Sequence, residues 1–430
     1  MIFIQILRNM HWKNGPDRGF SPSTPISNNI ANRKAAMYLS QGFSTPQRLH
    51  ASDNPSPQDA EFDALLALII EQRQQFQELR HIPRDVIAQM KKAGIFRSAT
   101  PSRFGGTPMA PHLFLRMIER IGVVDGSAAW VAAFGSANTY LAALPVETQA
   151  MIYADGPDQV YAGGLYPLSK ATRTDGGWRI SGRWRFASGC KGADWIGVGI
   201  AVDDGAGGPP IAHMAVCPAD EVEIIDNWQV MGMQGTGSHD TQLKDKFVAD
   251  EWICARAAPA RIDEPLYRYP PLAFQAEVHA ACNLGLARGA LDLAAEMSGG
   301  AKLMPGASRL ADRGYFRSSL AEGEAKLRSA RLFFYETAEQ AWQVLQAGDD
   351  VPLELNTLLR LSATHAAHIG AEVIQTCFRI VGMGAVQSTH RMQQILRDSL
   401  VVTQHAALND VTLEQAGALL AGLPPTPGFP

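Results

Sequence analysis

Several features are scarce or missing in this 430-residue sequence, and each absence excludes a class of protein. Lysine and arginine total 38 against 42 acidic residues, so the net charge of -4 argues against a nucleic-acid partner. No apolar run is expected to be long enough to cross a bilayer, so no membrane partner is predicted. The first residues also lack the cleavage pattern of a secretory signal.

Cysteine is rare, and its arrangement favours reduced thiols. The five cysteines are odd in number, widely separated and without CxxC spacing: Cys190, Cys217, Cys254, Cys282 and Cys377. This usage argues against a disulfide framework and against a zinc site. We therefore expect a cytoplasmic protein with no metal centre.

The chain reads as an α+β protein whose helices flank a central β region. Residues 1–57 are rich in Ser, Pro, Asn and Arg and are predicted to be a flexible N-terminal extension. Residues 58–157 show helical periodicity, residues 158–262 have the turns and alternation of strands, and residues 263–430 are again helical. The last domain is predicted to be a four-helix bundle. Its helices are expected at roughly 274–299, 308–347, 352–381 and 391–408.

The clearest strand is predicted at Trp178–Phe186. Its apolar residues all have even numbers and its polar residues odd numbers, which is the period of a half-buried strand. If this alternation continues, Phe186 and Ser188 lie on the buried face.

Five segments together resemble the acyl-CoA dehydrogenase superfamily, and within it the two-component flavin monooxygenases that include hydroxyphenylacetate hydroxylases and dibenzothiophene monooxygenase. Each segment alone is a weak signal, but their order and separation make the resemblance specific. The segments are Phe96–Gly106, Asp125–Val131, Gly182–Trp195, Trp228–Asp240 and Arg391–His405.

The resemblance implies a homotetramer that binds flavin between the β domain and the C-terminal bundle. In the monooxygenase branch FMN or FAD arrives already reduced by a separate reductase, and reacts with oxygen in a pocket that protects a flavin hydroperoxide from water. Such a pocket must be dry and must carry a hydrogen-bond partner for the flavin ring.

Ser188 matches the position at which these monooxygenases place a hydroxyl against the flavin N5. Phe186, Ala187 and Gly189 belong to the same predicted cofactor-binding segment. The alternative is that Ser188 simply ends a strand before a glycine turn.

His405 matches a histidine that faces the reactive edge of the flavin, where imidazole can donate or accept a proton near neutral pH. Acyl-CoA dehydrogenases commonly carry a catalytic glutamate at about this position, and here the nearest acid is Asp410. A structural role for His405 stays open, and Arg397 and Asp398 are interpreted as an ion pair that holds the last helix.

Two further groups of residues are candidates by position. Gly382, Gly384 and Ser388 lie where the resembling families bind the flavin phosphate or adenylate, but an interhelical turn explains them equally well. The predicted substrate pocket consists of Trp130, Asn138, Met233 and Ser238, of which Trp130 and Asn138 are equally plausible as packing residues.

No histidine lies between Val131 and Gln149, where the phenol hydroxylases of this family often carry a base. This absence favours a substrate that is nucleophilic when neutral, such as an indole, an amine or a sulfide. The sequence therefore predicts a reduced-flavin monooxygenase that inserts one oxygen atom from O2 into a small electron-rich aromatic substrate such as an indole or a phenol. The alternatives are an acyl-CoA dehydrogenase or oxidase, and a non-catalytic flavin-binding homologue.

Overall fold

A computed structural model describes residues 57–203, 210–256, 258–299, 308–426 and 429. The predicted N-terminal extension, residues 1–57, lies outside the described residues apart from Pro57. From Pro55 onward the chain forms one compact unit.

The first described region is helical. Buried Leu65, Ile69 and Phe76 recur at helical spacing on the first helix and supply its core face. The Asp125 carboxylate caps a later helix by accepting a hydrogen bond from the Ala128 amide at 2.8 Å. The helices are α1 Pro57–Leu79, α2 Arg84–Lys92, α3 Pro111–Val124, α4 Gly126–Ala133, α5 Asn138–Leu141 and α6 Val146–Ile152.

Within the described residues, seven strands form one sheet in the order β5-β6-β2-β1-β3-β4-β7. β1 and β3 pair in parallel, and the other neighbouring strands are antiparallel. The strands are β1 Tyr161–Thr174, β2 Gly177–Ala187, β3 Trp195–Val202, β4 Ile211–Pro218, β5 Glu223–Ile225, β6 His239–Ala249 and β7 Ile253–Ala255.

The alternation predicted for β2 is correct up to Trp184 and wrong at Phe186. Ile180 and Trp184 are fully buried, but Phe186 is 64% exposed. The register of β2 against β6 shifts between Trp184 and Ala187, and Phe186 adopts a left-handed φ of 63°. Because of this irregularity, the residues after Trp184 no longer follow the alternation: Phe186 points to solvent and Ala187 is buried.

The C-terminal helices form the predicted bundle, and the largest difference from the sequence-based bounds concerns the last predicted helix. The helix expected at 391–408 ends at Val402, and a further helix follows it. His405 therefore lies in a turn and caps a 3-10 helix, Ala406–Leu408, through its own side chain. The helices are α7 Pro271–Ser298, α8 Gly314–Gln346, α9 Leu353–Val381, α10 Arg391–Val402 and α11 Asp410–Leu420.

One apolar stretch is longer than the sequence analysis expected. By length and composition alone, Leu353–Val386 is sufficient to cross a membrane. In the structure its helix, α9, is a bundle helix that packs against α7 and α8, with residues such as Leu359, Ala363 and Ile374 fully buried. Burial of this kind is the ordinary reason for an apolar helix in a core.

The central helix α7 joins the bundle to the N-terminal helices. It packs closely against α3, where the Cα atoms of Gly122 and Gly285 meet at a helix crossing. The predicted domain boundaries, near residues 157 and 262, fall in the connections on either side of the sheet. The division into separate domains stays a prediction.

Candidate flavin site

Trp130, a buried residue of α4, connects the two side chains that sequence reasoning placed at the flavin. Its indole Nε1 donates a hydrogen bond to the Ser188 Oγ at 3.2 Å. Its ring also meets the His405 ring edge to face, with 5.5 Å between centroids. Ser188, at the end of β2, and His405, after α10, therefore reach the same indole ring.

Ser188 belongs to a chain of buried hydroxyl groups. Its Oγ lies 2.7 Å from that of Ser238, which lies 2.7 Å from the Thr236 Oγ1. The Thr236 hydroxyl donates to the Met233 carbonyl at 2.8 Å, so Ser238 donates to Thr236 and Ser188 donates to Ser238. The Ser188 oxygen accepts from Trp130 and keeps a second lone pair for another donor.

His405 is an N-cap whose Nδ1 accepts a hydrogen bond from the Ala407 amide at 3.3 Å. Since a backbone amide only donates, the proton of the neutral ring lies on Nε2. Burial lowers the pKa of His405 to about 4. The ring is therefore a neutral hydrogen-bond donor through Nε2 at physiological pH.

His279, on α7, belongs to the same cluster and was missed by the sequence analysis. Its ring stacks on that of His405 with 4.3 Å between centroids, and its edge contact with Trp130 is closer still, at 4.0 Å. Burial, followed by the neighbouring His405, lowers the pKa of His279 well below its usual value. A single histidine within an Ala-rich helix gave no signal of this role.

The other residues of the predicted cofactor segment surround Ser188. Phe186 is exposed and makes an edge contact with Trp228, at 6.2 Å between centroids. Ala187 is buried, and the Gly189 amide donates to the Thr236 carbonyl at 2.8 Å. An exposed aromatic ring beside a buried hydroxyl is suited to contact with a flat ligand.

Met233 and Asp398 tie the segment Trp228–Asp240 to helix α10. The Met233 amide donates to the Asp398 Oδ1 at 2.5 Å, and Arg397 donates to the Met231 carbonyl at 2.8 Å. The predicted ion pair between Arg397 and Asp398 is therefore wrong: the two side chains bind this segment separately. Burial raises the pKa of Asp398 to about 7. Met233 is 1% exposed and serves as a packing residue.

Asn138 has a structural position. Its Nδ2 donates to the carbonyls of Phe96 and Gln159 at 3.2 and 3.1 Å. None of its hydrogen-bond partners among the described residues belongs to the group around Trp130. These bonds favour the packing alternative over the predicted pocket role.

Gly382, Gly384 and Ser388 lie in the connection between α9 and α10. Gly382 has a φ of 77° that favours glycine, and Ser388 is exposed. These features are sufficient to explain an interhelical turn, so binding of a flavin phosphate here stays a prediction.

Two carboxylates near this region, Asp410 and Glu277, are not placed as a base for thioester chemistry. Asp410 is exposed at the start of α11. Glu277 is fully buried on α7, and the Tyr269 hydroxyl lies within 3.1 Å of both its carboxyl oxygens. Burial raises the pKa of Glu277 well above its usual value. Among the described residues there is also no group of three potential metal ligands.

The fold and this site define a class, the acyl-CoA dehydrogenase-like flavoenzymes. A family model described as acyl-CoA dehydrogenase, C-terminal domain, matches residues 277–410. The 3-HSA hydroxylase from Rhodococcus sp. RHA1 superposes with a TM-score of 0.80 at 27% identity, covering 88% of this chain and 99% of that one.

Curated relatives narrow the class. The chain is 44% identical to indole-3-acetate monooxygenase of Pseudomonas putida, over 86% of this chain and 95% of the relative. It is 36% identical to the enzyme of the same name from Acinetobacter baumannii, over 83% and 91%. It is 27% identical to the oxygenase subunit HsaA, a flavin-dependent monooxygenase of Rhodococcus jostii, over 80% and 93%. The chain belongs to the flavin-dependent monooxygenases that are oxygenase components of two-component systems.

Its cofactor is a flavin that a separate reductase supplies in reduced form. The groups described above fit this cofactor. The Ser188 oxygen can accept one hydrogen bond from a ring N–H, and Phe186 offers an exposed aromatic face beside it.

Proposed function

We propose that the chain inserts one atom of O2 into an indole that carries an acidic side chain, with indole-3-acetate as the first substrate to test. The main support is the Trp130 cluster, which combines a serine hydroxyl, a neutral imidazole and an indole ring in one place. Two relatives above 30% identity bear the name of this activity. An indole is nucleophilic without losing a proton, which agrees with the absence of histidine between Val131 and Gln149.

Each residue has a definite task in this proposal. When bound, the reduced flavin supplies the two electrons with which one oxygen atom enters the substrate and the other leaves as water. The Ser188 oxygen accepts a hydrogen bond from a ring N–H of the flavin, while Trp130 donates to Ser188 and Ser188 donates to Ser238, which together fix the direction of its hydroxyl. The His405 ring is neutral, and its Nε2–H donates a hydrogen bond to an oxygen acceptor.

The surroundings of these groups exclude water. Trp130 and Ser188 are less than a tenth exposed, and Ala128, Ala129 and Ala187 are fully buried around them. Hydrogen bonds in such a dry site are stronger than in water, because the local dielectric constant is low.

The assay combines the purified chain with a flavin reductase, NADH, FAD or FMN, and indole-3-acetate under 18O2. The expected product carries one labelled oxygen atom. The substitution Ser188→Ala should reduce product formation about 100-fold, the order found when a preorganised hydrogen-bonding group of an active site is removed. Ser181→Ala, at an exposed serine of the same strand, should retain activity.

Turnover of acyl-CoA thioesters with a dye acceptor, together with no oxygenation of indoles or phenols, would overturn the proposal. Oxygenation of a phenol but not of an indole would overturn the substrate class alone. Catalase in every reaction separates enzymatic product from oxidation by free hydrogen peroxide.

We further propose a homotetramer located in the cytoplasm. Large apolar side chains exposed on the isolated chain, including Leu332, Met383 and Leu420, are candidates for contacts between subunits. Light scattering after gel filtration tests the tetramer, and a monomer would contradict it. The five cysteines are unpaired and buried, as expected for a reducing compartment. Cell fractionation tests the location.

A further inference from the structure

We propose that His279 accepts a hydrogen bond from the ring N–H of the substrate, so that His279 and His405 form a pair of imidazoles with opposite hydrogen-bonding roles. This inference rests on the proposed oxygenation of an indole. In this proposal His279, on helix α7, determines which aromatic rings bind in the site.

The two histidines are in direct contact although they belong to different elements. Their rings are stacked, with 4.3 Å between centroids and an interplanar angle of 15°. Trp130 meets both rings edge to face. A third ring, Phe134, approaches His279 at 6.2 Å with an interplanar angle of 89°. A planar aromatic substrate that binds beside this cluster can make stacked and edge-to-face contacts with its rings.

Local hydrogen bonds determine the tautomer of His279. Its Nδ1 lies 2.5 Å from the Gln275 carbonyl oxygen, one helical turn earlier. A carbonyl oxygen only accepts, so Nδ1 carries the proton. The Nε2 of the neutral ring is then a lone-pair acceptor. No described residue donates a hydrogen bond to it.

The tautomer of His405 is the opposite one. Its Nδ1 accepts from the Ala407 amide, so its Nε2 carries the proton. Both rings are neutral, since burial lowers both pKa values and no carboxylate pairs with either ring among the described residues. The cluster therefore offers one acceptor and one donor on adjacent rings.

An indole N–H needs such an acceptor. In a dry site, a donor without a partner loses its hydrogen bond to water and gains nothing in return. The Nε2 of His279 supplies the partner without removing the proton, which increases the electron density of the indole ring. A ring that lacks the N–H leaves His279 unsatisfied, so the site discriminates against it.

The test compares two ligands of nearly the same shape. Isothermal titration of the full-length chain, in the presence of oxidised flavin, measures dissociation constants for indole-3-acetate and benzofuran-3-acetate, in which oxygen replaces the N–H. The wild-type chain should bind the indole about 10-fold more tightly, as expected for one hydrogen bond in a buried site. His279→Phe should abolish this preference.

Two further variants serve as controls. His279→Gln retains an acceptor oxygen and should retain part of the preference. His365→Phe, at an exposed histidine of α9, should retain all of it. Circular dichroism checks that each variant is folded.

A measurement on the wild-type chain does not depend on the folding of any variant. With 15N-labelled histidine, the ring nitrogen shifts should reveal a buried neutral ring protonated at Nδ1, that of His279, beside the rings of His239 and His405 protonated at Nε2. The free Nε2 of His279 should shift when indole-3-acetate binds. Binding of neither ligand and no oxygenation would contradict the proposed function itself. Equal binding of the two ligands by an active wild-type chain, or the absence of any buried neutral ring protonated at Nδ1, would overturn only the role of His279.

Discussion

Among single residues, His405 illustrates how surroundings decide protonation. Its ring packs against Trp130 and His279, and a backbone amide occupies its Nδ1. An imidazolium in this place would lose its hydration without gaining an anion, which is why burial lowers the pKa to about 4. The same effect links His405 to the stability of the fold.

We predict that the His405→Gln chain loses less stability in acid than the wild-type chain. Between pH 6.5 and pH 4 the unfolded chain protonates His405 and the folded chain does not, so the free energy of unfolding falls as the pH falls through this window. The loss of unfolding free energy caused by His405 is absent above pH 6.5, is complete below pH 4 and amounts to about 3 kcal/mol. Glutamine can still accept the Ala407 hydrogen bond but cannot titrate.

Urea unfolding of the wild-type and H405Q chains at pH 7.5 and pH 4.5 measures the difference. His279 titrates in the same direction, so part of the acid sensitivity should remain. His365→Gln, at an exposed position, should behave as the wild type. An H405Q chain with the same acid sensitivity as the wild type would contradict the prediction.

Ser188 and His405 could be predicted because each lies in a short segment whose neighbouring residues also match a known pattern. His279 could not. It is recognised only when α7 brings it against Trp130 and His405, which are far from it in sequence. Contacts of this kind depend on helix packing, which a local pattern of residues does not contain.

Among the secondary-structure elements, the segment Trp228–Asp240 depends on close contact with α10. A Cβ on Gly232 would lie 2.3 Å from the Arg397 carbonyl oxygen. We predict that Gly232→Ala pushes this segment away from α10, because backbone atoms cannot move aside as a flexible side chain can. The expected cost is about 1–3 kcal/mol.

Gly417→Ala, at an exposed position of α11, is the matched control, since a Cβ there meets nothing within 4 Å. Thermal unfolding and the oxygenation assay should both detect the change at Gly232, because Met233, Thr236 and Ser238 follow in the same segment. Equal melting temperatures for the two variants would show that the contact with α10 is not tight.

Element bounds were predictable to different degrees. The long helices α7, α8 and α9 follow from sustained periodicity, with differences of a few residues at their N-terminal ends. The end of α10 and the break in the alternation of β2 were not predictable, since a capping contact of His405 and a register shift against β6 decide them. Both features depend on the positions of other elements.

For the molecule as a whole, a buried ion pair connects the N-terminal helices to the bundle. Glu119 of α3 is 3% exposed and accepts two hydrogen bonds from Arg331 of α8, at 2.6 and 3.0 Å. The Tyr335 hydroxyl donates to the same carboxylate at 2.6 Å. The carboxylate therefore satisfies three donors between two regions that are distant in sequence.

We predict that Glu119→Gln lowers the free energy of unfolding by about 3 kcal/mol, because it leaves Arg331 as a partly buried charge without an anion. Glu223→Gln is the control. It removes an exposed pair with Lys244 and should cost less than about 1 kcal/mol. Urea titration of both variants tests the contrast, and similar losses would mean that the connection between α3 and α8 contributes little.

The order of helices, sheet and helices was evident from the sequence, because hydrophobic periodicity is a local property of the chain. The resemblance carried by five short segments was likewise sufficient to indicate a flavin monooxygenase. Only the tertiary structure decided the composition of the site. Trp130, Ser188, His279 and His405 come from four separate elements, and their meeting results from the packing of those elements into one core. The hydrogen bonds formed there determine which ring nitrogen donates and which accepts.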